Sequence, residues 1–318
     1  MDHAFASRGD LNRTSLGIAC GMGAGALWGL IFLAPELVSG FSPLQLAIGR
    51  YVWYGLISAI LIGARRPRFS LPRSRGLWLV LAGLGLTGNT LYYVLISAGV
   101  QNGGIAMTSL VMGFLPVAVT IVGSRDHGAV PLRRLVPSLL LCLAGAGCIG
   151  WQALGAGTGR APMTGLACAI GALVCWTTYA IANSRSLARL GHVSLRDWNL
   201  LIGIVTGAQS LCLIPVSALV DPIPVAPAAW IRFLAVSVGI AVIASFGGNA
   251  LWNRMSRLLP LTMTGQMILF ETLFALLYGF LWERRLPHPL EFMAFVLVTA
   301  SVLTCIAAHR RPDQGGTD

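Results

Sequence analysis

Apolar residues run along this chain in blocks of about twenty, and polar residues collect in the short gaps between them. A helix needs about 20 apolar residues to cross the hydrocarbon core of a bilayer. Ten blocks meet that length, at 16–36, 44–63, 76–99, 105–124, 135–153, 164–183, 198–219, 230–252, 261–281 and 290–308. The gaps hold turn formers and charge: Ser39-Gly40-Phe41-Ser42-Pro43, the arginine-rich stretch 64–75, Gln101-Asn102-Gly103-Gly104, and Asp221-Pro222-Ile223-Pro224. The pattern predicts an all-α polytopic membrane protein with ten transmembrane helices between polar tails at 1–15 and 309–318.

Composition agrees. Only 10% of residues are charged, against about 25% in soluble domains, and the mean hydropathy is +0.76. The net charge of +11 would suit a nucleic-acid binder, but its placement in turns between apolar blocks excludes that partner. All 22 basic residues are Arg. With the amino terminus inside, 17 arginines lie on inner segments, and Arg160, Arg232, Arg284 and Arg285 lie on outer ones; Arg50 sits within a span. The bias predicts a multi-pass protein of the inner (plasma) membrane with both termini cytoplasmic. The first apolar run is too long and glycine-rich for a cleaved signal peptide.

Reactive chemistry is sparse. The seven cysteines all fall inside apolar runs without metal-ligand spacing and read as small buried residues. His3, His127, His192, His288 and His309 lie in tails or turns, and neither an HExxH nor a Walker sequence is present. These absences predict no metal, no cofactor, no enzyme activity and no direct drive by ATP.

The chain also repeats itself. Gly25-Ala26-Leu27-Trp28-Gly29 in the first span is echoed by Gly171 to Trp176 in the sixth. Gly88-Asn89-Thr90-Leu91-Tyr92 in the third matches Gly248-Asn249-Ala250-Leu251-Trp252 in the eighth. The apolar stretch from Phe114 to Gly123 matches the one that begins at Phe270. Five spans per unit is an odd number, so the second copy enters the membrane upside down. The predicted organisation is a first repeat at 16–153, a linker at 154–163 and a second repeat at 164–308. Inverted repeats around a midplane site are the architecture of secondary transporters.

On these residues the chain resembles the EamA-like, ten-helix branch of the drug/metabolite transporter superfamily. The first span carries GALWG (Gly25 to Gly29), and the second carries a similar Pro43…Ala47-Ile48-Gly49-Arg50-Tyr51 pattern. Pro116 stands where that family has proline, and Leu281-Trp282-Glu283-Arg284-Arg285-Leu286 is similar to its Gly-Glu-Arg-Leu corner, with Trp282 replacing glycine. Glu271-Thr272 departs from the family's Glu-Pro. The resemblance implies metabolite export, amino acids included, and a central cavity lined by spans 1, 3, 4, 6, 8 and 9, with 5 and 10 peripheral.

The candidate site residues are those that are expensive inside lipid. Glu271 reads either as a proton-coupling group or amine partner, or as a carboxylate holding helices in register. Arg50 reads as an anion-binding fork, or as a structural cation that pairs with Glu36 or snorkels outward. Asn89, Asn249 and Gln266 need partners in hydrocarbon, so they face the cavity or bond a neighbouring helix. Trp28, Tyr92, Tyr93, Trp176 and Tyr179 read as cavity walls for amino acids, aromatic compounds or cationic amphiphiles, or as packing aromatics. Trp53, Tyr54, Trp78, Trp151, Trp198, Trp230 and Trp282 lie near span ends and read as interface anchors. The expected function is a secondary active transporter of a small metabolite, with a lipid-handling or regulatory protein of the same fold as the alternative. Expected partners are the bilayer, the small-molecule substrate and, through Glu271, a proton; the chain is read as monomer or homodimer.

Overall fold

The computed structural model describes residues 3–38, 40–64, 74–125, 129–156, 162–190, 193–220, 227–284 and 286–310. The arginines at 65–73, the 221–224 turn and residues 157–161 of the linker lie outside the described residues. All regular structure among the described residues is helical. The first span is α1 (His3–Gly29), a 3-10 turn (Leu30–Leu33) and α2 (Ala34–Leu37); the second is α3 (Pro43–Gly63). The third is α4 (Arg75–Gly85), a π-helical segment (Leu86–Thr90) and the start of α5 (Leu91–Met112). The end of α5 and α6 (Leu115–Gly123) make the fourth, and α7 (Leu132–Ala156) the fifth.

The second half continues with α8 (Pro162–Arg189), α9 (Leu195–Val220), α10 (Pro227–Ile240), a π-helical segment (Ala241–Gly248) and α11 (Asn249–Leu258). It closes with α12 (Leu261–Met267), α13 (Leu269–Glu283) and α14 (Pro289–Arg310). Thus α1 begins inside the expected amino-terminal tail, and α7 and α8 both run into the expected linker. Helical hydrogen bonding carries across these polar residues because the backbone gains more by continuing its ladder than by stopping.

Eight stretches among the described residues are long and apolar enough to cross a membrane: Asn12–Leu37, Pro43–Gly63, Arg75–Gly104, Met163–Arg189, Leu195–Val220, Pro227–Leu258, Leu261–Trp282 and Pro289–His309. The expected fourth span is broken. Gly104 has φ 84°, a left-handed conformation that interrupts α5 and that only glycine adopts at little cost. A second break falls at Phe114, where Pro116 sits in the first turn of α6; proline there needs no amide bond. Cys142 fills a carbonyl left free at this break, donating its thiol to Gly113 (3.0 Å). The ninth span breaks at Ile268, between α12 and α13, without a proline. Both breaks close with the same tight turn, Val117 N–H to Phe114 O (3.1 Å) and Glu271 N–H to Ile268 O (2.9 Å).

Packing between spans obeys an exchange of 1 with 6, 2 with 7, 3 with 8, 4 with 9 and 5 with 10. α5 packs on α8 as α11 packs on α1, and α1 packs on α13 as α8 packs on α6. Three pairs map onto themselves: α3 with α9, α6 with α12, and α7 with α14. At the α3–α9 crossing, a Cβ on Gly55 would lie 2.7 Å from the Gly207 Cα, and one on Gly207 2.6 Å from the Gly55 Cα. The two-fold axis of an inverted pair of five-helix repeats passes through this contact. Equivalence extends to the two turns that join first and second spans, where Phe41 N–H bonds Val38 O (3.1 Å) and Val193 N–H bonds Leu190 O (2.9 Å).

The same symmetry shows in two close approaches. A Cβ on Gly248 would strike Trp28, and one on Gly88 would strike Tyr179, both at 2.2 Å. Trp28 and Tyr179 thus make matching close approaches to the two equivalent glycines. Two expected interface anchors are core residues instead. Trp198 and Tyr54 are fully buried; Trp198 Nε1 donates to Asn183 Oδ1 (2.9 Å) and Tyr54 Oη to Asn199 Oδ1 (2.6 Å). Their polar tips find partners inside the bundle, so the headgroup layer is not needed. Cys212, expected to be buried, is exposed.

Candidate functional site

Each repeat carries one π-helical segment, and side chains bond backbone carbonyls in it or just before it. In the second repeat Trp28 Nε1 donates to Ala244 O (3.0 Å) and Asn199 Nδ2 to Phe246 O (3.4 Å). In the first, Gln209 Nε2 donates to Ala82 O (2.8 Å) and Thr87 Oγ1 to Gly83 O (2.7 Å). These bonds hold the widened turns in place and bring Asn89 and Asn249, at their ends, into the centre of the protein.

Glu271 arrives by another route. It lies in the first turn of α13, where the helix dipole favours a carboxylate. The glycines of the GALWG stripe let α13 come close. A Cβ on Gly25 would lie 2.7 Å from the Glu271 backbone nitrogen, and one on Gly29 2.9 Å from that of Ala275. Glu271 is buried and forms no ion pair with Arg50, which lines the same space.

That space is bounded by Trp28, Ile31, Arg50, Tyr51, Gly88, Asn89, Tyr92, Trp176, Tyr179, Asn249 and Glu271. It has room for about one water molecule. Its aromatic wall is continuous: Trp28 stands edge-on to Trp176 (5.4 Å between centroids), Trp176 to Tyr179 (5.4 Å), and Tyr92 to Trp176 (6.1 Å). Trp252 backs this wall, 4.9 Å from Trp176 and 5.2 Å from Trp28.

Arg50 neither snorkels nor pairs with Glu36. It is buried, its Nε donates to Ser245 Oγ (3.0 Å), and its guanidinium lies over the rings of Tyr93 (4.6 Å) and Tyr51 (4.8 Å). Facing aromatic rings stabilise a cation away from water.

Eight of the ten residues singled out from the sequence share this space: Trp28, Arg50, Asn89, Tyr92, Trp176, Tyr179, Asn249 and Glu271. Tyr93 borders a neighbouring small space with Ile31, Phe32, Pro35, Ile96, Ser97 and Val100. Gln266 is buried elsewhere, its Oε1 accepting from Ser301 Oγ (3.2 Å). Ile31 and Tyr51 also line the site; Ile31 carries no sequence signal of its own, and Tyr51 is visible only as the end of the second-span pattern. Span 4 contributes no lining residue, whereas span 2 does, because α3 packs directly on the π-helical segment of span 8.

The site is closed on both faces by related devices. On the face opposite the termini, Gln101 Nε2 donates to Phe41 O (3.1 Å), and Phe41 stacks on Phe233 (4.2 Å, 20° between planes). On the face of the termini, the Arg257 guanidinium donates to the carbonyls of Leu190 (3.2 Å) and Val193. Asn183 Nδ2 there donates to Asn253 Oδ1 (3.0 Å), tying α8 to α11.

Known proteins agree with this architecture. One solved crystal structure superposes with a TM-score of 0.67, covering 91% of this chain and 98% of that one at 19% identity, which speaks for the fold alone. The Inner membrane protein YtfF of Escherichia coli (strain K12) is 28% identical over 324 residues, covering 95% of this chain and 98% of that protein. The EamA-like transporter family matches twice, at residues 15–151 and 163–307, one match per five-helix unit. A membrane-embedded helical chain with the family's pattern in both halves, folded around a two-fold axis, belongs to the EamA-like transporter family.

Proposed function

We propose that this protein is a secondary active transporter that moves a small metabolite out across the inner (plasma) membrane by alternating access. The favoured cargo is an amino acid or a related aromatic compound. The observation that carries the reading is the closed central space, in which Glu271 and Arg50 share one aromatic-walled site between the two repeats. Unpaired opposite charges inside hydrocarbon are costly, so a site that keeps both has a use for both. The repeats, taken as 16–153 and 164–308, rock about the α3–α9 contact and expose the site to one face at a time. The arginine bias supports cytoplasmic termini, and the name of the Escherichia coli relative supports the inner membrane.

Glu271 is the proposed proton-coupling group. It is the sole acidic residue among those lining the site. Purified protein in proteoliposomes, offered amino acids, aromatic compounds and amphiphilic cations with and without a pH gradient, tests the reading. Saturable flux of one class, accelerated by the gradient, is expected. Glu271→Gln should abolish the acceleration; full gradient-dependent flux in that variant would remove the coupling role.

A further inference from the structure

The polar groups around the central space are unevenly matched. Trp28 Nε1 is held by Ala244 O, Arg50 Nε by Ser245 Oγ, and Asn249 Nδ2 by Tyr54 Oη (3.4 Å). Three further donors on the same wall have no partner: Arg50 Nη1, Asn89 Nδ2 and Tyr179 Oη. Arg50, Asn89 and Tyr179 are each at least 97% buried, so bulk water does not satisfy them. Buried donors are nearly always paired. Three left open around one space describe a site built for a group rich in acceptor oxygens.

The two-fold axis sharpens the point. Asn89 and Asn249 occupy matching places, yet Tyr54 occupies the amide of Asn249 while the amide of Asn89 is open. Likewise Trp28, against Gly248, is anchored to a backbone carbonyl, whereas Tyr179, against Gly88, holds an unbonded hydroxyl. The free donors thus come from both repeats, Asn89 and the guanidinium from the first and Tyr179 from the second.

We propose that Arg50, Asn89 and Tyr179 form an oxyanion subsite that takes the carboxylate of the transported metabolite, with Asn89 and Tyr179 as its specificity-determining residues. This rests on the transport reading above. Guanidinium presents parallel N–H groups that match a carboxylate. One full positive charge beside two neutral donors suits a monoanion; a doubly charged phosphate would leave a buried charge uncompensated. The carboxylate then lies against the Trp28–Trp176 wall, and Glu271 remains available to a proton or an amine.

Equilibrium binding to the purified full chain, read separately from flux, tests the subsite with a matched set: phenylalanine, phenethylamine, 3-phenylpropionate and phenyl phosphate. An aliphatic set of leucine, isoamylamine and 4-methylpentanoate runs beside it. The carboxylate-bearing members should bind at least about tenfold more tightly than their carboxylate-free counterparts and than phenyl phosphate. Tyr179→Phe and Asn89→Leu should each weaken carboxylate binding about tenfold, and more than they weaken amine binding. Tyr179→Phe should melt no lower than the parent, because its hydroxyl holds nothing in the empty protein; a purely structural hydroxyl would lower the melting temperature. Equal binding of phenylalanine and phenethylamine, preference for the phosphate, unchanged carboxylate binding in both variants, or binding of neither carboxylate series overturns the subsite. Carboxylate binding without flux of any ligand would instead overturn the transport reading and leave the subsite standing.

Discussion

The two ends of the molecule are built on one frame and sealed by different chemistry. Each seal fastens the end of a repeat's third span to a carbonyl in the turn between its first and second spans. Opposite the termini the fastener is a neutral amide, Gln101 on Phe41 O, supported by the Phe41, Trp230 and Phe233 rings. On the terminal face it is a guanidinium, Arg257, bridging Leu190 O and Val193 O, supported by the Asn183–Asn253 bond and by Trp198. Stacked rings tolerate sliding, whereas one charged nitrogen, Arg257 Nη2, shared between two carbonyls holds both in place. A symmetric scaffold can therefore favour one closed face over the other, and an alternating-access cycle needs that kind of tunable bias between its end states.

The comparison depends first on the axis itself. Gly55→Val and Gly207→Val should have the largest effect, and a nearly equal one, because each forces the same two backbones apart; overpacking of this kind costs about 1–3 kcal/mol or more. Gly239→Val, at a position with open space around it, should be nearly silent. Melting of the detergent-solubilised variants reads this, and a large gap between the two axis variants would break the equivalence of the halves.

Next comes the charged seal. Arg257→Ala removes hydrogen bonds from a charged group, worth about 1.5–3 kcal/mol each, less some screening because the side chain is only half-buried. Amide exchange around Val193 and Leu259 should speed up by tenfold or more. No change there would mean that the Asn183–Asn253 bond holds the terminal face by itself. The neutral seal should respond least. Gln101→Leu removes one bond worth about 1 kcal/mol, and the rings stay stacked, so exchange near Phe41 should rise by less than tenfold. A response as large as that of Arg257→Ala would show that the aromatic cluster contributes little to closure.

Much of the candidate site was legible in the sequence. Glu271, Arg50, Asn89 and Asn249 stood out because a polar side chain in an apolar block is expensive, and the structure gathers them around one space. Other features were hidden. Arg50 kept several partners open in the sequence; packing of α3 on the π-helical segment chose Ser245, Tyr51 and Tyr93. Ile31 is ordinary in composition, and Tyr51 stood out only as the neighbour of Arg50; both line the site through the tertiary approach of their spans. Trp198 looked like an interface anchor by its place near a span end, and a distant partner, Asn183, drew it into the core.

Hydrophobic block length and the placement of charge are local properties, so the sequence by itself determined that this chain is a helical membrane protein of two five-span repeats, and which residues were costly enough to need a purpose. Contacts between residues about 150 apart are not local. Only the tertiary structure decided that Trp28 and Tyr179 pack against equivalent glycines, that Gln266 leaves the site, and that Arg50, Asn89 and Tyr179 each keep an unpartnered donor, because those outcomes depend on how closely glycine-lined helices approach and on which side chains reach one another.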